Sequence, residues 1–226
     1  MRVFKFGGAS VKDPDAVRNV KRVLDLFPGE DLVVVISAMG KTTNALELLI
    51  AEHVQSTEAG EKVLKEIERF HEEILSDLFP NKDHSIYSDV ASHLAKIRQI
   101  LQEEPTDHYD FIYDQVVSFG EVISTTIVSA YLDQEGMKNQ WLDARNLVRT
   151  DNNYREGRVD WETTELKIQD AIGSSFGDAE RKVVITQGFL GHTPEGLTTT
   201  LGREGSDFTA GIFAYCLNAQ DVTIWK

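Results

Sequence analysis

Cysteine is almost absent: Cys216 is the only one in 226 residues. A lone thiol excludes an internal disulfide framework and a cysteine-rich zinc site. Its neighbours Phe213, Ala214, Tyr215 and Leu217 mark it as a small buried hydrophobe in a reducing compartment. Basic residues are also scarce, with 23 Lys and Arg against 37 Asp and Glu, a net charge of −14. That balance argues against nucleic acid and anionic membrane as main partners. It leaves room for an anionic small molecule, because a few local cations can dominate one cleft. Residues Met1 to Gly8 contain no apolar run of signal-peptide length, and no later stretch is expected to span a bilayer. A cytoplasmic protein is the expectation. His53, His71, His84, His93 and His108 are scattered without metal-site spacing, so no protein-held metal is expected. Internal repeats and low-complexity segments are missing too.

What is there is a globular composition, 41% hydrophobic and 27% charged, in a chain long enough for a sizeable core. Arg2 to Phe6 reads as a strand running into Gly7-Gly8. A helix follows, with Asp13 as N-cap, Pro14 in the first turn, and Val17, Val20, Val23/Leu24 and Phe27 at helical spacing. Pro28-Gly29 stops it. Leu32 to Ile36 is a continuous β-branched run, the mark of a strand buried on both faces. Strand, glycine turn, helix and strand together predict βαβ units on a parallel sheet. Residues 45–132 read as a helical excursion broken near Ala59-Gly60, Pro80-Asn81 and Glu104-Pro105. Further strands are predicted at Asn139 to Leu142, Lys182 to Thr186, Thr198 to Thr200 and Asp221 to Trp225. A helix is predicted over Thr163 to Gly173, and 143–158 reads as an irregular polar loop.

The stretch Thr198 to Asp207 carries the chemistry. Gly202 and Gly205 let a backbone turn tightly beside a ligand, and Ser206 is a suitable N-cap for the apolar helix Phe208 to Leu217. Free N–H groups at that helix start, with the fork of Arg203, suit an anion. An ordinary surface turn with an arginine accounts for the same residues. Two nucleotide motifs are excluded. Gly40-Lys-Thr42 lacks the first glycine of a Walker A loop, which falls on Val35, and no G-x-G-x-x-G follows the first strand. What remains is glycine turns at 7–8, 40 and 202–205, which a parallel sheet gathers at one edge. Lys5, Lys41 and Arg203 then supply charge suited to phosphoryl transfer. Glu121, on a predicted helix in apolar surroundings, reads equally as a site acid or a solvated one.

Four ordered blocks carry a resemblance: Lys5-Phe-Gly-Gly-Ala-Ser10, Val33 to Gly40 with Thr42-Thr43, Ser118-Phe-Gly-Glu121, and Thr199 to Asp207. They resemble the signature blocks of aspartokinases in the amino-acid-kinase family. Ala9 departs from the usual threonine, and Glu204 stands where glycine is common. The resemblance implies an α/β, three-layer αβα sandwich with a mainly parallel sheet, the carbamate-kinase-like fold, truncated at its C-terminal side. Residues 1–226 would then be one incomplete catalytic domain. The implied reaction is transfer of the ATP γ-phosphoryl group, with Mg²⁺ carried by the nucleotide, to the side-chain carboxylate of L-aspartate. The product is 4-phospho-L-aspartate, at the first step of lysine, threonine and methionine biosynthesis. By the same resemblance, Lys5 neutralises the transferring group and Asp207 orients Lys5 and the helix start. Gly7, Gly8 and Gly40 lend N–H donors, and Phe6, Ser10 and Ser37 complete the nucleotide side. Arg203 holds the substrate α-carboxylate, Glu121 its α-ammonium, and Thr43 and Ser206 help to fix it.

The resemblance leaves other readings open. One is a family member acting on glutamate, acetylglutamate, carbamate or a nucleoside monophosphate. Another is a non-catalytic, amino-acid-binding regulatory fragment. Glu121 with Arg203 favours a free amino acid, and Lys5 with Asp207 speaks against a decayed site. A homodimer is expected, and the isolated 226-residue chain is expected to be inactive.

Overall fold

The computed structural model describes residues 1–103, 109–176 and 182–226. Strand β1 (Arg2–Phe6) passes through a 3-10 turn at Gly8–Val11 into helix α1 (Pro14–Leu24) and strand β2 (Leu32–Ile36). Asp13 caps α1, its carboxylate accepting the Ala16 N–H at 2.8 Å, while Val17, Val20 and Leu24 are buried. Helices α2 (Thr42–Gln55), α3 (Thr57–Leu78), α4 (Ile86–Gln102), α5 (Tyr109–Val117) and α6 (Phe119–Gln134) follow. Then come β3 (Asn139–Leu142), α7 (Trp161–Ser175), β4 (Val183–Gln187) and the short strands β5 (Leu190–His192) and β6 (Thr198–Thr200). Helix α8 (Gly205–Cys216) and strand β7 (Val222–Trp225) complete the order.

The main sheet is five-stranded in the order β3-β4-β2-β1-β7, and each neighbouring pair is parallel. Alternation along its strands sorts side chains between two faces. Phe4, Phe6, Val34, Ile36 and Ile185 join one core with residues of α1 to α6. Val3, Val33, Val35 and Val184 join a second core with Ile168 of α7 and Phe213 of α8. Helices on both faces of a parallel sheet make the three-layer αβα arrangement. Strands β5 and β6 form a separate antiparallel hairpin. Because the main strands run one way, the turns after Phe6, Ile36 and Gln187 emerge at one edge, where ligands of such sheets bind.

Three expectations need correction or a limit. The break predicted at Ala59-Gly60 falls instead at Ser56, whose hydroxyl accepts the Ala59 N–H at 3.4 Å and starts α3. Gly60 lies inside α3, where a Cβ would come 2.7 Å from His53 Cβ. That glycine serves close packing of α2 on α3 rather than a turn. The expectation that no stretch has the length and composition to span a bilayer is also overturned. Tyr109–Gln134 has both, yet 83% of its apolar window is buried inside the protein, so its apolarity belongs to the core. The break at Glu104-Pro105, and His108, lie outside the described residues.

Candidate active site

Helix α8 starts two residues earlier than its sequence suggests. Ser206 was the expected cap, but Glu204 holds that position in the left-handed region, with φ 57° and ψ 21° and no side-chain cap bond. Close packing explains the shift. A Cβ on Gly205 would meet Phe189 Cδ2 at 2.6 Å, and one on Gly188 would meet Ser206 Cβ at 2.5 Å. The turn after β4 thus presses directly on the first turn of α8, and only glycines permit it. Asp207, in that first turn, meets Lys5 Nζ at 2.6 Å, an ion pair rather than an aligned hydrogen bond. Lys5 projects from β1 and is 8% exposed.

Glu121 is no solvated acid. It opens α6 at 3% exposure, and Oε1 accepts the Ala38 N–H at 3.3 Å. Its Oε2 is buried without a partner. Burial pushes the carboxyl up to about 8, because little offsets the loss of water around the anion. Gly120 allows this approach, since a Cβ there would lie 3.0 Å from Ala38 Cβ.

A cavity of about 900 Å³ collects Lys5, Gly8, Ser37, Gly40, Thr43, Glu121, Arg203, Ser206 and Asp207. Among the described residues, Arg203 forms no ion pair, and its guanidinium is free for a ligand. Phe6, Gly7, Ser10 and Lys41 do not line the cavity. Phe6 is 1% exposed and stacks on Trp225. The Gly7 N–H and the Ser10 hydroxyl both donate to the Trp225 carbonyl, at 3.3 and 3.2 Å, tying the first glycine turn to β7. Gly40 donates its N–H to the Gly8 carbonyl at 3.0 Å. Of the three glycines expected to offer N–H groups, only Gly8 keeps its own unengaged among the described residues.

The cavity also has walls that sequence reasoning missed: Asp110 and Tyr113 of α5, the segment 153–156, Phe189 and Lys226. The segment belongs to the stretch read as irregular loop, which has no periodicity to place it. Asp114 was the available signal, an acid inside the apolar run Phe111 to Val117. It is fully buried and accepts hydrogen bonds from both Arg155 and Thr200.

Glycine turns, a Lys–Asp pair, a free arginine and an unpartnered carboxyl meet at one sheet edge of an α/β protein, an arrangement suited to a zwitterionic or anionic small molecule. The chain belongs to the amino acid kinase family, whose model matches residues 1–226. It is 35% identical over 224 residues to lysine-sensitive aspartokinase 3 of Escherichia coli, covering 99% of this chain and 48% of that protein. With the chloroplastic aspartokinase 1 of Arabidopsis thaliana it shares 33% identity over 235 residues, covering 99% of this chain and 39% of that one. Among solved structures, E. coli aspartokinase III in complex with aspartate and ADP matches with a TM-score of 0.86 and 30% identity, across 100% of this chain and 48% of that one. Clostridium acetobutylicum aspartate kinase matches at 0.79 and 27%, across 100% and 47%. The chain thus spans about half the length, or less, of these relatives.

Proposed function

We propose that the protein carrying this chain transfers the γ-phosphoryl group of ATP to the side-chain carboxylate of L-aspartate, releasing ADP and 4-phospho-L-aspartate. The observation that carries this reading is Glu121 Oε2, buried and unpartnered in the cavity that also holds the free Arg203. An amino acid supplies the ammonium for one and the carboxylate for the other, each as a charge-assisted pair. A blocked amine or a nucleotide acceptor leaves Glu121 without its cation.

In this reading the reacting carboxylate oxygen attacks the γ-phosphorus in line as the bond to the ADP oxygen breaks. Such transfers depend on position and charge neutralisation rather than on protein nucleophiles. Lys5 supplies the positive charge, and its ion pair with Asp207 restricts where Nζ sits. The free N–H of Gly8 is one backbone donor available to a phosphate oxygen. Mg²⁺ carried by the nucleotide would add further charge neutralisation. A cytoplasmic homodimer belongs to the same reading, and sedimentation of the full-length protein tests it.

The activity test uses the full-length protein with ATP, Mg²⁺ and aspartate, trapping the acyl phosphate with hydroxylamine. Aspartyl hydroxamate is the expected product. Glutamate reacting as well as aspartate overturns the substrate assignment.

A further inference from the structure

The segment 153–156 is fastened across the site by a buried acid. Asp114 Oδ2 accepts the backbone N–H groups of Arg155 and Thr200, each at 2.9 Å, and Oδ1 accepts the Thr200 hydroxyl at 2.7 Å. One carboxylate thus joins α5, the strand leading into the Gly202 to Asp207 turn, and the segment. Gly157 adds an N–H bond to the Thr200 carbonyl at 2.9 Å. The Arg155 carbonyl rests against Gly202, where a Cβ would stand 3.3 Å away. Arg155 therefore shares a wall with Arg203, the residue after Gly202.

Arg155 adopts φ 66°, a region that L side chains enter at a cost. Its guanidinium lies 4.3 Å over the Tyr113 ring, and Nη1 meets Asp110 Oδ1 at 3.3 Å. Among the described residues, Nε and Nη2 have no partner. A strained backbone, an aromatic platform and a mostly unused fork thus meet in one cavity-lining residue. Strain of this kind persists where the surroundings over-determine it, and here Asp114, Gly157 and Gly202 do so.

We propose that Arg155 is a specificity-determining residue, a second guanidinium for the non-reacting carboxylate of the acceptor, and that Asp114 is the positioning residue that aims it. This rests on the carboxylate-kinase reading above. Topology selects the carboxylate over the nucleotide phosphates. Lys5, Gly8 and Lys226 stand at β1 and β7, whereas the segment is tied to α5 and to the hairpin that follows β4, on the other side of the sheet edge. The fork of Arg203 and that of Arg155 can then share one carboxylate, which has lone pairs for both.

Steady-state kinetics of the full-length protein test this. Arg155→Gln is expected to raise the acceptor KM tenfold or more, with the change falling on that KM rather than on kcat or the ATP KM. Arg155→Lys restores part of the loss, because it returns charge without the fork. Arg155→Gly suits the left-handed backbone, so a raised acceptor KM with an undiminished Tm separates loss of the guanidinium from misfolding. Asp114→Asn raises the same KM, and combining it with Arg155→Gln adds little further, as expected for residues acting as one unit. An unmoved acceptor KM in an active Arg155→Gln enzyme, or a rise in the ATP KM instead, overturns the proposal alone. A wild-type protein that phosphorylates no carboxylate overturns the underlying reading as well.

Discussion

At the scale of single residues, burial sets the state of Glu121, the acid at the centre of the site. Lys5, Glu121, Arg203 and Asp207 were legible in the sequence because each sits in a short block with glycine, where the surrounding residue types already imply close backbone approach. Arg155 was not legible. Its place depends on Asp114, 41 residues earlier in the chain. Glu121 gives the first prediction at this scale. Its carboxyl is raised to about 8 by burial, so the ligand-free site holds it protonated at pH 7. A bound ammonium favours the anion, and binding must then expel the proton. Calorimetry of aspartate binding to the full-length protein, in buffers of different ionisation enthalpy, should show proton release at pH 7 that fades as the pH rises past about 8. Heats at pH 7 that do not depend on the buffer refute this linkage. The same shift acts on stability with a defined sign. Between the ordinary carboxyl value of 4.5 and about 8, the folded state binds the extra proton, so stability falls as pH rises through that window. Glu121→Gln should remove that part of the pH dependence.

At the scale of elements, glycine meant two different things, and sequence alone did not separate them. Gly202 adopts φ 75° and turns the chain before α8, as its context suggested. Gly60 looked like a helix break and is instead a helix–helix contact. Helix propensity and packing make opposite predictions for replacing it. Alanine in a helix interior is favoured over glycine by about 1 kcal/mol. Yet a Cβ at 60 would lie 2.7 Å from His53 Cβ and 2.9 Å from His53 Cα, and those atoms cannot swing away. Overpacking of that kind costs about 1–3 kcal/mol, so sterics should win and Gly60→Ala should lower the Tm. Gly211, inside α8, has nothing within 4 Å of a built Cβ, so there propensity acts alone and Gly211→Ala should raise it. Thermal melts of the two variants decide the matter: shifts of the same sign contradict the packing account of Gly60. The same logic explains the displaced start of α8. Ser206 has the chemistry of a cap, but pressure from Gly188 and Phe189 sets where the helix begins, and those contacts are invisible to a local reading.

At the scale of the whole molecule, the three layers followed from apolar runs such as Leu32 to Ile36, which only a sheet covered on both faces can bury. Strand β6 was expected, but its pairing with the three-residue β5 and the wall at 153–156 did not follow, because β5 is too short to show periodicity and the wall is held by Asp114, far away in sequence. Net charge adds a last prediction. With 37 acidic residues against 23 basic ones, the fold carries substantial self-repulsion. Surface pairs such as Lys62–Glu58 and Arg69–Glu73 have both partners more than 70% exposed, so each contributes little and is itself screened by salt. Repulsion should therefore outweigh the exposed pairs, and added salt should stabilise the fold. At this chain length each kcal/mol corresponds to about 2–4 °C in Tm. Within the cavity the sign reverses. Arg203 and Arg155 attract the acceptor carboxylate, and salt weakens attraction between exposed charges. Raising NaCl from low to moderate concentration should thus raise the Tm while also raising the acceptor KM. A Tm that falls with salt would mean that the surface ion pairs, not the excess acid, govern the stability of the molecule.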